Sequence, residues 1–87
     1  MTKLLGAEQL GRNIRRIRMD RGLTQEQTVA KLQVLGSPVS RSTFSLIEMG
    51  RGNIFVSDLV ALQKVFNADY AEFFRDISPY RQGRSDK

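Results

Sequence analysis

A short polar segment near the middle of the chain carries the side chains best suited to recognising another molecule. Ser40 has the residue type of a helix cap, because its hydroxyl can accept a backbone N–H from the first turn of a helix over 41–49. Arg41 heads that helix, and an arginine guanidinium can donate two parallel hydrogen bonds to a guanine. Neighbouring hydroxyls can contact base edges or phosphates. The side chains with this capacity are Ser40, Arg41, Ser42, Thr43 and Ser45.

A second helix precedes this one, so that residues 23–51 form a helix, a turn and a helix. Thr24 and Gln27 have the spacing of a capping box at the start of the earlier helix. Gln25 follows the cap, where its amide and the free backbone N–H groups could meet a phosphate. The alternative is that Gln25 is simply an exposed residue of the first turn. Gly-Ser-Pro at residues 36–38 is turn chemistry and ends the helix.

The first helix, over residues 7–21, is basic on the faces that do not point inward. The chain carries 14 Lys and Arg against 9 Asp and Glu, a net charge of +5. Its first 21 residues hold six basic against two acidic side chains, or +4. This surplus favours a polyanionic partner, and Arg15 and Arg18 are expected to contact a DNA backbone. For any one arginine, a solvated helix surface is the alternative. The apolar residues at helical spacing on the inward face are Leu10, Ile14 and Ile17.

Two more helices complete the predicted core, and no segment shows the alternation of a strand. The fourth helix is expected to be capped by Ser57 or Asp58. Asp69 and Glu72 repeat the capping-box spacing and open a short fifth helix. The remaining residues predicted to point inward are Val29, Leu32, Val34 or Leu35, Phe44, Ile47, Leu46 or Met49, Leu59, Leu62, Val65 and Phe66.

These elements predict one all-α domain over residues 1–77, built from five short helices around one small core. Residues 1–6 are expected to be a loose lead-in. Residues 78–87, which are polar and aperiodic, are expected to be a disordered basic tail.

Composition excludes several classes of function. The chain has no His and no Cys, so disulfides, thiolate or imidazole metal sites, and Ser–His or Cys–His nucleophiles are absent from it. It has no phosphate-cradling glycine loop and no cofactor fingerprint. No apolar run approaches the length of a membrane span. The chain is therefore expected to be a cytoplasmic protein that is not an enzyme, with no metal, cofactor, membrane or small-molecule ligand.

Three segments together carry a resemblance to a known family. They are LGRNIRRIR at residues 10–18, GLTQEQ at 22–27 and VSRSTFSLIE at 39–48, followed by DYAEFF at 69–74. In this order they resemble the lambda-repressor-like, Cro/C1-type helix-turn-helix family, also called the XRE family. The resemblance covers residues 10–74, about three quarters of the chain. It implies a compact five-helix DNA-binding domain and a transcriptional regulator of double-stranded DNA.

The family resemblance also implies roles for particular residues. The third helix would be the recognition helix in the major groove, with Arg41 the best candidate for a base contact and a phosphate contact its main competitor. Arg51 and Asn53, in the loop after this helix, would lie near phosphates. Glu48 is expected to order that loop internally, since phosphates repel a carboxylate.

The sequence departs from the family pattern at two places. The family usually has a short glycine turn between its second and third helices, whereas residues 33–38 add about one helical turn and a proline. Thr28 stands where a buried aliphatic residue is usual, and Val29 where a small one is. We therefore expect local packing and docking angles to differ, within the same fold.

Members of the family commonly bind two-fold DNA sites as dimers, so a homodimer acting as a repressor is expected. Activation by contact with polymerase is equally compatible with the sequence. A protein-interaction module on the same fold, such as an antitoxin or an adaptor, is the alternative function. The residues that could form the dimer surface are Phe55, Tyr70, Phe73 and Phe74, although Phe73 and Phe74 could instead complete the core.

Overall fold

The computed structural model describes residues 3–4 and 8–78 and confirms the all-α class. Five helices carry the fold, in the order the sequence predicts. Their bounds are Glu8–Asp20 (α1), Gln25–Val34 (α2), Arg41–Glu48 (α3), Val56–Phe66 (α4) and Tyr70–Phe73 (α5). The predicted disordered tail lies outside the described residues, apart from Ser78.

A small strand pairing was not predicted. Lys3–Leu4 (β1) pairs antiparallel with Ile54–Phe55 (β2), with Lys3 opposite Phe55 and Leu4 opposite Ile54. The expectation of a loose lead-in is therefore wrong at residues 3 and 4, while residues 1–2 and 5–6 lie outside the described part. Strands of two residues are too short to show the period of two by which a sequence reveals a strand.

Both predicted caps of the helix–turn–helix segment are confirmed. Thr24 accepts the Gln27 backbone N–H at 3.0 Å, and the Gln27 side chain accepts the Thr24 N–H at 2.9 Å. Ser40 accepts the Thr43 N–H at 3.1 Å. Each cap satisfies donors that a helix start leaves free, so the two helix starts are well defined.

The turn between α2 and α3 spans residues 35–40 and is held at both of its ends. Gly36 adopts φ of +90°, and the Ser37 N–H bonds to the Leu32 carbonyl, which closes the end of α2. The Ser37 hydroxyl accepts the Val39 N–H at 3.2 Å and donates to the buried Asp58 carboxylate at 3.5 Å. The long turn is therefore tied to the start of α4.

The cap predicted for α4 is wrong, whereas for α5 the start at Asp69 is confirmed but the capping-box bonds are not. Phe55 is the N-cap of α4, and Asp58 acts from inside the helix by accepting the Phe55 N–H at 3.1 Å. Asp69 occupies the N-cap position of α5 but makes no side-chain capping bond there. The Glu72 carboxylate turns instead to Arg16 of α1, at 3.2 Å.

The core follows the predicted helical faces, with corrections at the ends of α2 and α3. Val34, the last residue of α2, lies about 200° around the helix from the buried Leu32 and therefore faces solvent, and Leu35, which follows the helix, is also exposed. Leu46 and Met49 are also exposed, so α3 buries only one apolar ridge, through Phe44 and Ile47. The buried apolar residues are Leu10, Ile14, Ile17, Val29, Leu32, Val39, Phe44, Ile47, Ile54, Leu59, Leu62, Phe66, Ala68 and Phe73.

Two polar residues of the core have their hydrogen bonds satisfied. Thr28 is fully buried, and its hydroxyl donates to the Thr24 carbonyl at 2.9 Å, which explains why a threonine fits this position. Asn13 of α1 is 2% exposed and donates to the carbonyls of Phe73 at 2.8 Å and Arg75 at 2.7 Å. The side-chain carbonyl of Asn13 accepts a hydrogen bond from the side-chain amide of Gln9. Asn13 thus attaches the end of α5 to α1.

Replacing Asn13 with aspartate should lower the free energy of unfolding by about 2–4 kcal/mol. The carboxylate keeps the shape of the amide but loses both donors and faces two carbonyl oxygens. Urea unfolding followed by circular dichroism measures this loss. Asn53→Asp, at an exposed loop position, is the control and should change stability by less than about 0.5 kcal/mol. Equal effects of the two substitutions would contradict the role assigned to Asn13.

Candidate nucleic-acid interface

The exposed start of α3 presents the polar side chains singled out from the sequence. Arg41 and Ser42 are exposed, whereas Thr43 and Ser45 are half-buried. The Ser40 hydroxyl lies 3.1 Å from that of Thr43, besides capping the helix. These two hydroxyls therefore hold the helix start, while the neighbouring side chains face solvent.

A hydrogen-bond chain joins Arg41 to the interior of the protein. Arg41 Nε donates to Gln25 Oε1 at 3.2 Å, and Gln25 Nε2 donates to Glu48 Oε1 at 2.9 Å. Gln25 thus bridges the starts of α2 and α3 and orients the arginine. Because Nε is the group engaged, the two terminal nitrogens of Arg41 remain able to form a bidentate pair with a planar acceptor.

The inner end of this chain is a buried ion pair between α1 and α3. Arg18 donates to Glu48 from Nε at 2.6 Å and from Nη2 at 3.1 Å, and from Nη1 to the Leu23 carbonyl at 2.8 Å. The side chains of Arg18 and Glu48 are 11% and 3% exposed. All three guanidinium nitrogens are thus engaged inside the protein.

This geometry corrects the placement of Arg18 among the DNA-backbone candidates, because its guanidinium faces a carboxylate and not solvent. Helical spacing shows that Arg15 and Arg18 lie off the apolar face, but it cannot show which of them meets an acid 30 residues away. Glu48 acts internally, although its side-chain partners lie on α1 and α2 and not in the loop after α3.

Arg15 belongs to an open groove between the outer face of α1 and the end of α3. Neither Arg15 nor Arg51 makes a side-chain hydrogen bond or ion pair within residues 8–78. Both arginines can therefore meet phosphates without first losing an internal partner. The groove measures about 850 Å³ and is lined by Glu8, Arg12, Arg15, Arg16, Met19, Asp20, Glu48, Met49 and Arg51.

The start of α3 and the groove are connected through the hydrogen-bond chain. Glu48 lines the groove and also accepts from Gln25, which accepts from Arg41. Asn53 is exposed in the loop that follows α3. The orientation of Arg41 is thus linked to a residue that the groove shares.

The four aromatic residues assigned to a dimer surface do not share one environment. Phe73 is completely buried, with its ring centroid 6.3 Å from that of Phe66, so its assignment to a dimer surface is wrong. Tyr70 is 43% exposed and Phe74 is 44% exposed. Phe55 is half-buried beside the strand pairing. Tyr70 and Phe74 offer most of the apolar surface available from this set.

The helical part of the chain matches a known protein family. A family model described as "Helix-turn-helix domain" matches residues 9–73, so the chain belongs to that helix-turn-helix family, which is found in XRE-type DNA-binding regulators. The matched residues include α1 to α5, with the arginine-rich groove and the start of α3. Neither the curated proteins nor the solved structures give a match.

The described part of the chain carries neither a membrane-spanning helix nor a metal-binding cluster. None of its helices is long and apolar enough to cross a membrane. Residues 3–4 and 8–78 contain no cluster of three acidic side chains able to hold a metal ion.

Replacing Glu48 with glutamine should lower the free energy of unfolding by about 3–5 kcal/mol, because it leaves the buried Arg18 guanidinium without a countercharge. A double Arg18→Met, Glu48→Met variant should be more stable than Glu48→Gln, since no charge then remains buried. Urea unfolding of the variants provides the measurement.

The exposed pair Arg16–Glu72, 33% and 47% exposed, is the matched control. Glu72→Gln should cost less than about 1 kcal/mol, because water screens this pair. A double variant of Arg18 and Glu48 that is less stable than Glu48→Gln would overturn the assignment of a buried charge penalty.

Proposed function

We propose that the protein is a sequence-specific regulator of transcription, of the Cro/C1 type, that binds double-stranded DNA with α3 in the major groove. The observation that carries this proposal is the hydrogen-bond chain that orients Arg41. Its guanidinium is held through Gln25 and Glu48 at an exposed helix start. A base-reading side chain benefits from such fixed geometry, because less conformational entropy is lost when DNA binds.

In this arrangement, base readout comes from the outer face of α3. Arg41 donates to a guanine from its terminal nitrogens, and a good bidentate pair contributes about 1–3 kcal/mol of discrimination. Ser42 and Ser45 face neighbouring base edges or phosphates. Ser40 and Thr43 define where the helix starts through their mutual contact.

Contacts to the DNA backbone fix the register of α3 in the major groove of the DNA. Gln25 lies in the first turn of α2, where free backbone N–H groups favour a phosphate. Arg51 and Asn53 approach the backbone from the loop after α3, and Arg15 approaches it from α1. The charged members of this set, Arg15 and Arg51, supply the salt-dependent part of the affinity.

A single helix start touches few base pairs, so we propose a homodimer on a two-fold operator. Its apolar contact would use Tyr70 and Phe74 with Phe55. Occupying promoter DNA is then the simplest mode of action, which makes the protein a repressor located in the cytoplasm.

Selection from a random duplex library at near-physiological salt tests base recognition. Wild type should enrich a motif with two inverted half-sites about one helical turn apart. Arg41→Ala should lose its preference at one position of each half-site, with about 10-fold or greater loss of affinity for the selected duplex. Arg41→Lys is the matched variant, because it keeps the charge but cannot form the fork-shaped pair.

Uniform weakening by Arg41→Ala at all positions would assign Arg41 to a phosphate instead. A wild-type protein that enriches nothing and shows only salt-sensitive background binding would overturn the proposed function. A search for a protein partner would then follow.

Titration of a fixed duplex at increasing salt tests the backbone contacts. Arg15→Ala and Arg51→Ala should each weaken binding to all sequences alike and make the slope of log K against log salt shallower by about 1. Arg75→Ala, an exposed arginine that does not line the groove, is the control and should leave the slope unchanged. A slope unaffected by either groove substitution would remove Arg15 and Arg51 from the interface.

A further inference from the structure

Two apolar side chains occupy the outer face of α3, beyond the polar residues at its start. Leu46 is 41% exposed and Met49 is 55% exposed. Together with Ser42 and the half-buried Ser45 they follow the spacing i, i+3, i+4 and i+7, so all four lie on one outward-facing stripe of the helix. The buried ridge of Phe44 and Ile47 lies on the opposite side.

The backbone around Leu46 is held by hydrogen bonds from the loop that follows α3. The Leu46 carbonyl accepts the N–H groups of Arg51 at 2.9 Å and Gly52 at 3.0 Å. A Cβ at Gly52 would lie 3.1 Å from the Leu46 Cβ, so the loop packs closely on one side of Leu46. The chain after α3 therefore supports Leu46 without covering it.

This apolar stripe ends at a groove in which arginines outnumber acidic side chains. Met49 lines the groove, and its charged lining is Arg12, Arg15, Arg16 and Arg51 with Glu8, Asp20 and Glu48. Arg15 and Arg51 make no side-chain hydrogen bond or ion pair within residues 8–78, so a polyanion drawn to them would come against Met49 and, next to it on the stripe, Leu46. The charge of the surroundings thus favours a polyanion that also offers apolar groups.

Duplex DNA offers one such group at the depth that a helix reaches. The C5-methyl of thymine projects into the major groove, where apolar side chains contact it. An RNA duplex fits less well, because its major groove is too narrow for side chains and its uracil lacks the methyl.

We propose that Leu46 and Met49 read thymine C5-methyl groups in the major groove, so that the preferred half-site contains thymine beside the base read by Arg41. This inference rests on the proposed function and names the base class that the second half of α3 selects. Leu46 lies five residues after Arg41, or about 7.5 Å along the helix, which corresponds to about two base-pair steps. The thymine is therefore expected about two or three base pairs from the guanine.

Deoxyuridine substitution tests the methyl contact directly, because it removes only the methyl group and leaves pairing unchanged. Each thymine of the duplex selected by wild type is replaced in turn, and affinity is measured for every duplex. Wild type should lose about fourfold at one or two positions per half-site, the value expected for burying one methyl group. At those positions Leu46→Ala or Met49→Ala should bind the thymine and deoxyuridine duplexes equally.

Val34→Ala is the matched control, since Val34 is 86% exposed but lies on α2, outside the stripe. It should retain the wild-type loss on deoxyuridine. Circular dichroism verifies that each variant folds, and the wild-type measurement needs no variant at all.

The outcomes separate this inference from the function on which it depends. A selected duplex whose thymines can all be replaced without loss would overturn the methyl contact and leave sequence-specific binding intact. An equal deoxyuridine penalty in wild type, Leu46→Ala and Met49→Ala would assign the effect to DNA shape and overturn it too. Failure to select any duplex would overturn both proposals.

Discussion

The buried contact between Arg18 and Glu48 is the interaction on which the arrangement of α1, α2 and α3 depends. Glu48 ends α3, and its carboxylate accepts two hydrogen bonds from α1 and one from Gln25 of α2. A carboxylate buried to 3% exposure is stable only with such partners, because desolvation would otherwise penalise its charge. The Glu48 carboxylate therefore connects all three helices through its hydrogen bonds. The gain is in precise placement more than in net stability, since apolar residues of similar size often replace a buried ion pair without loss.

This internal charge pair is linked to the exposed surface through one side chain. Gln25 accepts from Arg41 and donates to Glu48, so the orientation of the exposed arginine depends on the buried pair. Close packing supports the same arrangement. Gly11 of α1 lies against the end of α3, where an added Cβ would come within 2.9 Å of the Glu48 carbonyl oxygen. A glycine at this position lets α1 approach α3 closely enough for Arg18 to reach its partner, despite the cost of glycine within a helix.

The long turn between α2 and α3 is accommodated without changing this framework. Gly36 ends α2 in a left-handed conformation, and Ser37 connects the turn to Asp58 of α4. Asp58 also holds the N–H of Phe55, so one buried carboxylate stabilises both the turn and the start of the fourth helix. The additional residues project Val34 into solvent, while Val39 returns the chain to the core. The extra length therefore adds surface beside α3 and leaves the position of its start defined by Ser40.

The sequence by itself determined the features that depend on residues close together in the chain. It predicted five helices, the caps at Thr24 and Ser40, the turn at Gly36 and the basic surface of α1, because these follow from helical period, capping chemistry and charge within a few residues. The resemblance predicted that Glu48 acts internally, but the sequence did not show which basic side chain it meets. Arg18 and Arg15 are equivalent by local criteria, and only the packing of α3 against α1 brings Glu48 to one of them. The same packing leaves Leu46 and Met49 exposed and places Asn13 against the end of α5. Tertiary structure decided these features because each depends on contacts between residues far apart in the chain, which no local pattern records.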